Sequence, residues 1–107
     1  MITCKDGMFE LHTDETSYLF GILPTGQLEH YYYGRRIHVK TAEGLREKHA
    51  FIPGNTNWYD DEHKNYTLED MCLEMSALGK GDIREPFIEV IHGDGSFTFL
   101  HICTYKA

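Results

Sequence analysis

The sequence is poor in the features that mark several large function classes. Its three cysteines, Cys4, Cys72 and Cys103, form neither a CxxC pair nor an even set, so they point to no zinc site and no disulfide framework. A reducing cytoplasm is the expected location. Basic residues are scarce beside acidic ones, 10 against 17, for a formal charge of −7; a nucleic-acid partner, which needs Lys and Arg to neutralise phosphates, is not expected. No apolar run reaches the roughly 18 residues of a membrane span. The opening MITCKDGMFELHTDETSY lacks the basic segment and apolar core of a secretory signal. With 107 residues the chain is at most one domain.

What is present is mostly β-like. Met8-Phe9-Glu10-Leu11 and Thr16 to Leu23 are short, rich in aromatic and aliphatic residues, and bounded by KDG, HTDE and PTG, which predicts two strands. Leu23-Pro24-Thr25-Gly26-Gln27 places Pro and Gly where a tight turn wants them, and Gln27 to Tyr33 resumes a β-prone run, so a hairpin is expected. Gly34-Arg35-Arg36 would then turn the chain into a short strand at Ile37-His38-Val39. Near the end, Pro86 to His92 and Ser96 to Tyr105 flank Gly93-Asp94-Gly95, a second hairpin with Asp-Gly turn chemistry. The expected fold is mainly β, an antiparallel β-sandwich whose apolar faces are built by Phe9, Tyr18, Phe20, Leu28, Tyr32, Phe87, Val90, Phe97 and Phe99.

Between these ends, Pro53 to Asp82 is turn-rich and predicts a long loop. Thr67-Leu68-Glu69-Asp70 resembles a capping box, and Leu68, Met71, Cys72, Met75 and Leu78 keep helical spacing. At most one short helix is expected there, stopped by Gly79 and Gly81.

The chemical candidates are few. Gly79-Lys80-Gly81 lacks the spacing of a phosphate loop and precedes a strand signal, so a plain turn is the better reading. Asp82 and Arg84 beside Glu85 suit a local ion pair that fixes a loop better than a catalytic acid. Seven scattered histidines include His30 and His38, which would face each other across a turn at Gly34, but a metal needs three or four convergent ligands. No metal, no cofactor and no catalytic residue is expected. Trp58, Tyr59 and Asp60, within NTNWYDD, are the candidate substrate-binding residues. A flat apolar ring meets the C–H face of a sugar while polar groups take its hydroxyls. The commoner role for such a tryptophan is to pin its loop to the sheet.

In order, TSYLFGILPTGQLEHYYYGRRI, LREKHAFIPGNTNWYD, LEDMCLEMSALGKGDIREPFIEV and HGDGS resemble the start of the glycoside hydrolase family 36 α-galactosidases, over about residues 7 to 98. GKGDIREP together with LEHYYYG makes the resemblance specific, where one triplet would not. The resemblance implies the first part of a β-supersandwich domain that precedes a (β/α)8 catalytic barrel. It implies a parent acting on α-galactosides such as melibiose and raffinose with retention, through two aspartates about 5–5.5 Å apart. Both belong to the barrel, and neither corresponds to Asp60, Asp61 or Asp82. The N-terminal domain of the family also helps build tetramers, so a homo-oligomer is expected. Some members carry a substrate-contacting aspartate where Lys48 stands, and that contact is not expected here.

After Thr98 the similarity gives way to FLHICTYKA, which suggests a truncated or frameshifted reading frame. The expected function is a non-catalytic N-terminal scaffold and oligomerisation domain, inactive alone. The alternatives are a freestanding carbohydrate-binding β module and a domain that pairs through its sheet edges. Loss of covering chain over residues 86 to 105 would leave such a piece marginally stable.

Overall fold

A computed structural model describes residues 1–46, 58–64, 66–76 and 78–96. Four antiparallel strands follow one another in space as they do in sequence, β1 (Ile2–Lys5), β2 (Met8–His12), β3 (Thr16–Ile22) and β4 (Leu28–Arg35). The mainly β, antiparallel architecture is therefore as expected. Each connection has its own chemistry. Asp6 and Gly7 both adopt positive φ, +52° and +76°, the two-residue turn that matches strand twist, and Lys5 pairs with Met8 across it. KDG thus joins two strands, where its composition alone marks only a boundary. Thr13 turns β2 into β3, its hydroxyl accepting the amides of Thr16 at 2.9 Å and Glu15 at 3.3 Å. Pro24-Thr25-Gly26 closes the third connection, with Gly26 N–H donating to the Leu23 carbonyl at 2.9 Å.

The strands bury one face. Along β3 the burial alternates strictly, with Ser17, Leu19 and Gly21 inward. Met8, Leu19, Leu23 and Leu68 are the fully buried apolar side chains among the described residues. Tyr18 and Phe20 occupy the opposite, half-covered face, where Phe9 and Phe20 stack at 5.0 Å and Tyr18 meets Phe20 at 5.2 Å and Tyr33 at 6.1 Å. Phe9, Tyr18, Phe20 and Leu28 therefore share a face, as alternation requires, but it is not the one that carries the core.

β4 departs from strict alternation. Leu19 pairs with Tyr32 while its neighbour Phe20 pairs with His30, so Tyr31 is an extra residue in the ladder. This bulge puts Tyr31 on the same side as Tyr32, and Tyr31 lies over Gly21: a Cβ there would meet the Tyr31 hydroxyl at 2.2 Å. Glycine in the middle of a strand is here a matter of space.

Two expected strands do not form. Ile37-His38-Val39 is irregular, because the Ile37 amide donates to the Ser17 hydroxyl at 3.0 Å rather than to a strand. After Thr67, where at most one short helix is expected, stands a single 3₁₀ turn, Leu68–Asp70. Beyond it the chain turns extended and pairs with the outer edge of β4, His30 N–H donating to the Cys72 carbonyl at 2.7 Å and Glu74 N–H to the Leu28 carbonyl at 2.9 Å. Those edge bonds consume the groups a helix would have used. Residues 86–92 form no strand either, and Phe87 and Val90 are exposed rather than core. Phe97 and Phe99 of the expected core, the strand expected over 96–105 beyond Ser96, and Lys48 lie outside the described residues.

The GKGD stretch is a turn, with Asp82 N–H donating to the Gly79 carbonyl at 3.0 Å and Gly79 N–H to the Asp82 carbonyl at 3.2 Å. Asp82, buried, pairs with Arg84 Nε at 2.8 Å, and the same guanidinium donates to the carbonyls of Met71 at 2.6 Å and Leu68 at 2.7 Å. The expected structural ion pair is thus present, and it holds the 3₁₀ turn.

Two outcomes are expected. Gly21→Ala lowers stability by about 1–3 kcal/mol through overpacking against Tyr31, and the loss shrinks in a Tyr31→Ala background; equal losses in both backgrounds by chemical denaturation exclude this contact as the cause. Ile83, Phe87, Val90 and Ile91 are 46–75% exposed, an apolar run that invites association. Phe87→Lys combined with Ile91→Lys is expected to reduce hydrophobic-dye binding and self-association while leaving the melting temperature unchanged, and a large fall in that temperature would assign them to the core.

Candidate sugar-binding loop

The loop that carries Trp58, Tyr59 and Asp60 is closed on itself and tied to the sheet. Tyr59 N–H donates to the Tyr66 carbonyl at 2.9 Å, making a neck. Inside it, Asp60 Oδ1 accepts the amides of Glu62 at 3.1 Å and His63 at 2.8 Å and lies 2.7 Å from His63 Nδ1. Asp is suited to this position because its short side chain reaches the backbone two and three residues on. The His63 side-chain bond is the main reason the Asp60 carboxyl is held below its ordinary pKa.

Aromatic rings fill the neck. Tyr59 meets Tyr66 edge to face at 5.9 Å, and His63 meets both near 6 Å. Two polar contacts reach across to the β3–β4 turn: Gln27 Nε2 donates to the Tyr59 hydroxyl at 3.3 Å, and Thr25 Oγ1 lies 3.0 Å from the Tyr66 hydroxyl. Lys80 Nζ stands over the Tyr59 ring at 5.5 Å. Burial comes first among the causes that raise the Tyr66 hydroxyl pKa.

The three candidate residues therefore take different parts. Tyr59 is an anchor whose hydroxyl and ring face are both engaged. Asp60 has one carboxylate oxygen committed to the turn and remains partly exposed. Trp58, 52% exposed, presents its indole to solvent, and the pinning expected of it is done by Tyr59 and Tyr66. Sequence reasoning missed Tyr66, Thr25 and Gln27; they lie 32 to 41 positions from their partners, and no local pattern marks such pairs.

Several half-buried and buried carboxylates outside this loop have a partner. Glu10 lies 2.9 Å from His12 Nε2, whose Nδ1 reaches the Ser17 hydroxyl at 2.8 Å. That order of acid, imidazole and hydroxyl has the outline of a nucleophilic triad, but Ser17 is fully buried and already bonded to Ile37, so its oxygen can attack nothing. Glu74 receives the Tyr18 hydroxyl at 2.5 Å and lies 2.6 Å from His30 Nδ1; burial and this carboxylate raise the Tyr18 pKa. His30 thus pairs with Glu74, and His38 lies against His12 at 6.1 Å, so the expected approach of His30 to His38 does not occur. Glu29, buried, forms an ion pair with Arg46 at 2.9 Å that lacks directed hydrogen-bond geometry. Among the described residues no cluster of His, Cys, Asp and Glu could hold a metal ion, and no helix is long and apolar enough to cross a membrane.

The chain has clear relatives. It is 33% identical over 84 residues to α-galactosidase 2 of Pediococcus pentosaceus, covering 77% of this chain and 11% of that protein. The crystal structure of the α-galactosidase from Lactobacillus brevis superposes with a TM-score of 0.72 at 36% identity, over 84% of this chain and 12% of the other. The galactosidase domain of the α-galactosidase–sucrose kinase AgaSK, known from Mediterraneibacter gnavus, gives a TM-score of 0.76 at 27% identity over 92% and 14%. In each case this chain spans a small fraction of its relative's length. The glycosyl hydrolase family 36 N-terminal domain matches residues 26–106, and with most of its length inside that match the chain belongs to this family.

Proposed function

We propose that this chain serves as the non-catalytic N-terminal scaffold of an α-galactosidase-like glycoside hydrolase, contributing to subunit assembly and inactive by itself. The observation that carries this reading is the match to the family's N-terminal domain over residues 26–106. The state of the acids agrees with it: Glu10, Glu29, Glu74 and Asp82 are each engaged by a basic or hydroxyl group. A retaining glycosidase instead needs two carboxyl groups free to face one glycosidic bond about 5–5.5 Å apart. The parental substrates would be α-galactosides such as melibiose and raffinose, the assembly a homo-oligomer, tetrameric as in the family, and the location cytoplasmic.

The purified chain is expected to release no nitrophenol from p-nitrophenyl α-galactoside, and to co-migrate in size exclusion with a barrel-containing relative lacking its own N-terminal domain. Turnover by the isolated chain would overturn the scaffold reading.

A second reading rests on the exposed indole of Trp58 beside the partly exposed Asp60. In it the loop is one wall of a sugar site, with the indole under the pyranose ring and Tyr59 holding the loop in place. Titration with galactose, melibiose and raffinose should then quench Trp58 fluorescence saturably in the millimolar range. Trp58→Ala should abolish the binding and Tyr59→Phe should weaken it only slightly. A flat titration of the wild-type chain removes this reading.

A further inference from the structure

A cleft of about 460 Å³ opens between the β1–β2 turn and the segment that follows β4, a size within the range of small-molecule sites. Met8, Ile22 and Tyr31 line it from the strands. Lys5 lines it from the first turn, and Lys40 and Arg46 line it from the later segment. Among the described residues, none from 58 to 66 lines it.

One wall is tied to a buried acid. Glu29, 3% exposed, takes the ion pair with Arg46, and burial first and then the charge of this carboxylate raise the Tyr31 hydroxyl pKa. Arg46 spends Nη2 on Glu29 and keeps further N–H donors, its side chain being 42% exposed. The two lysines are different. Asp6 and Glu43 line the same cleft, yet among the described residues neither Lys5 nor Lys40 forms an ion pair with a carboxylate. The chain as a whole carries −7, so three basic residues lining one cleft, beside two acidic ones, are a local feature and no reflection of a generally basic surface.

We propose that this cleft is a binding site for a small molecule bearing one anionic oxygen group, a phosphate monoester or a carboxylate. Lys5 and Lys40 supply the ammonium groups, Arg46 is a pre-oriented donor, and Met8 and Tyr31 receive the uncharged body. Fixing Arg46 through Glu29 lowers the ordering cost of binding. The unpaired lysines are the groups whose charge the ligand would complete.

The test is an amide-shift titration of the complete 107-residue chain with inorganic phosphate and, separately, with acetate at constant ionic strength. Saturable shifts at Gly7, Thr41 and Ala42 are expected, weakening as salt rises. Lys5→Gln and Lys40→Gln should each reduce affinity by about fivefold or more, and the double variant should abolish saturation. Saturation by phosphate alone would assign a phosphate monoester, and by both anions the broader carboxylate-tolerant site. The proposal is overturned if neither anion saturates these shifts, or if the double variant, with unchanged circular dichroism, binds as the wild type does.

Discussion

Two main-chain hydrogen bonds, from His30 to Cys72 and from Glu74 to Leu28, hold the irregular second half of the molecule against its sheet. An edge strand left bare exposes donors and acceptors that water satisfies at no gain in stability. Here the edge of β4 is taken by residues some forty positions later, and that register governs the packing on both faces. It sets Glu74 between Tyr18 and His30, and Leu68, a few residues earlier, is buried. A helix over the same residues would satisfy its own backbone and would leave β4 open.

Arginine completes what those two bonds begin. The 3₁₀ turn has no side-chain cap at Thr67, and its carbonyls are received by Arg84, itself oriented by buried Asp82. A buried ion pair of this kind contributes more to geometry than to net stability, because desolvation of the carboxylate offsets much of the attraction. Its planar fork explains why a lysine would not serve equally at this position: it meets one carboxylate and two carbonyls together. Glu29, which pairs with Leu73 at this same edge, forms a second ion pair with Arg46 in a looser geometry.

The elements legible in the sequence are those whose signals are local. Alternation found β2 and β3, and Pro24 with Gly26 found the turn between β3 and β4. The order of motifs led to the family before any three-dimensional observation. Local signals misled where a distant partner competed for the same groups. Leu68, Met71 and Met75 have helical spacing, but the edge of β4 claims the backbone between them. The aromatic count along β3 suggested that Tyr18 and Phe20 face the core, whereas smaller Ser17 and Gly21 flank Leu19 there, because the bulged β4 supplies Tyr31 and Tyr32 to fill that side. At the loop, composition identified Trp58, Tyr59 and Asp60 as a group. Their separate parts depend on Gln27 and Thr25, which no spacing within the loop encodes.

The plain order of the sheet, each strand beside its neighbour in sequence, carries a kinetic consequence. Three short connections close with little loss of chain entropy, whereas joining Cys72 to His30 first requires a loop of some forty residues to close. The meander is then the part that can assemble early, and the β4 edge waits for its partner through most of the search. During that interval the nascent sheet displays an unpaired strand of eight residues, Leu28 to Arg35. The charges at Arg35 and Arg36 and the bulge at Tyr31 stand on or beside that strand, where they discourage a second copy from pairing before the chain's own segment arrives.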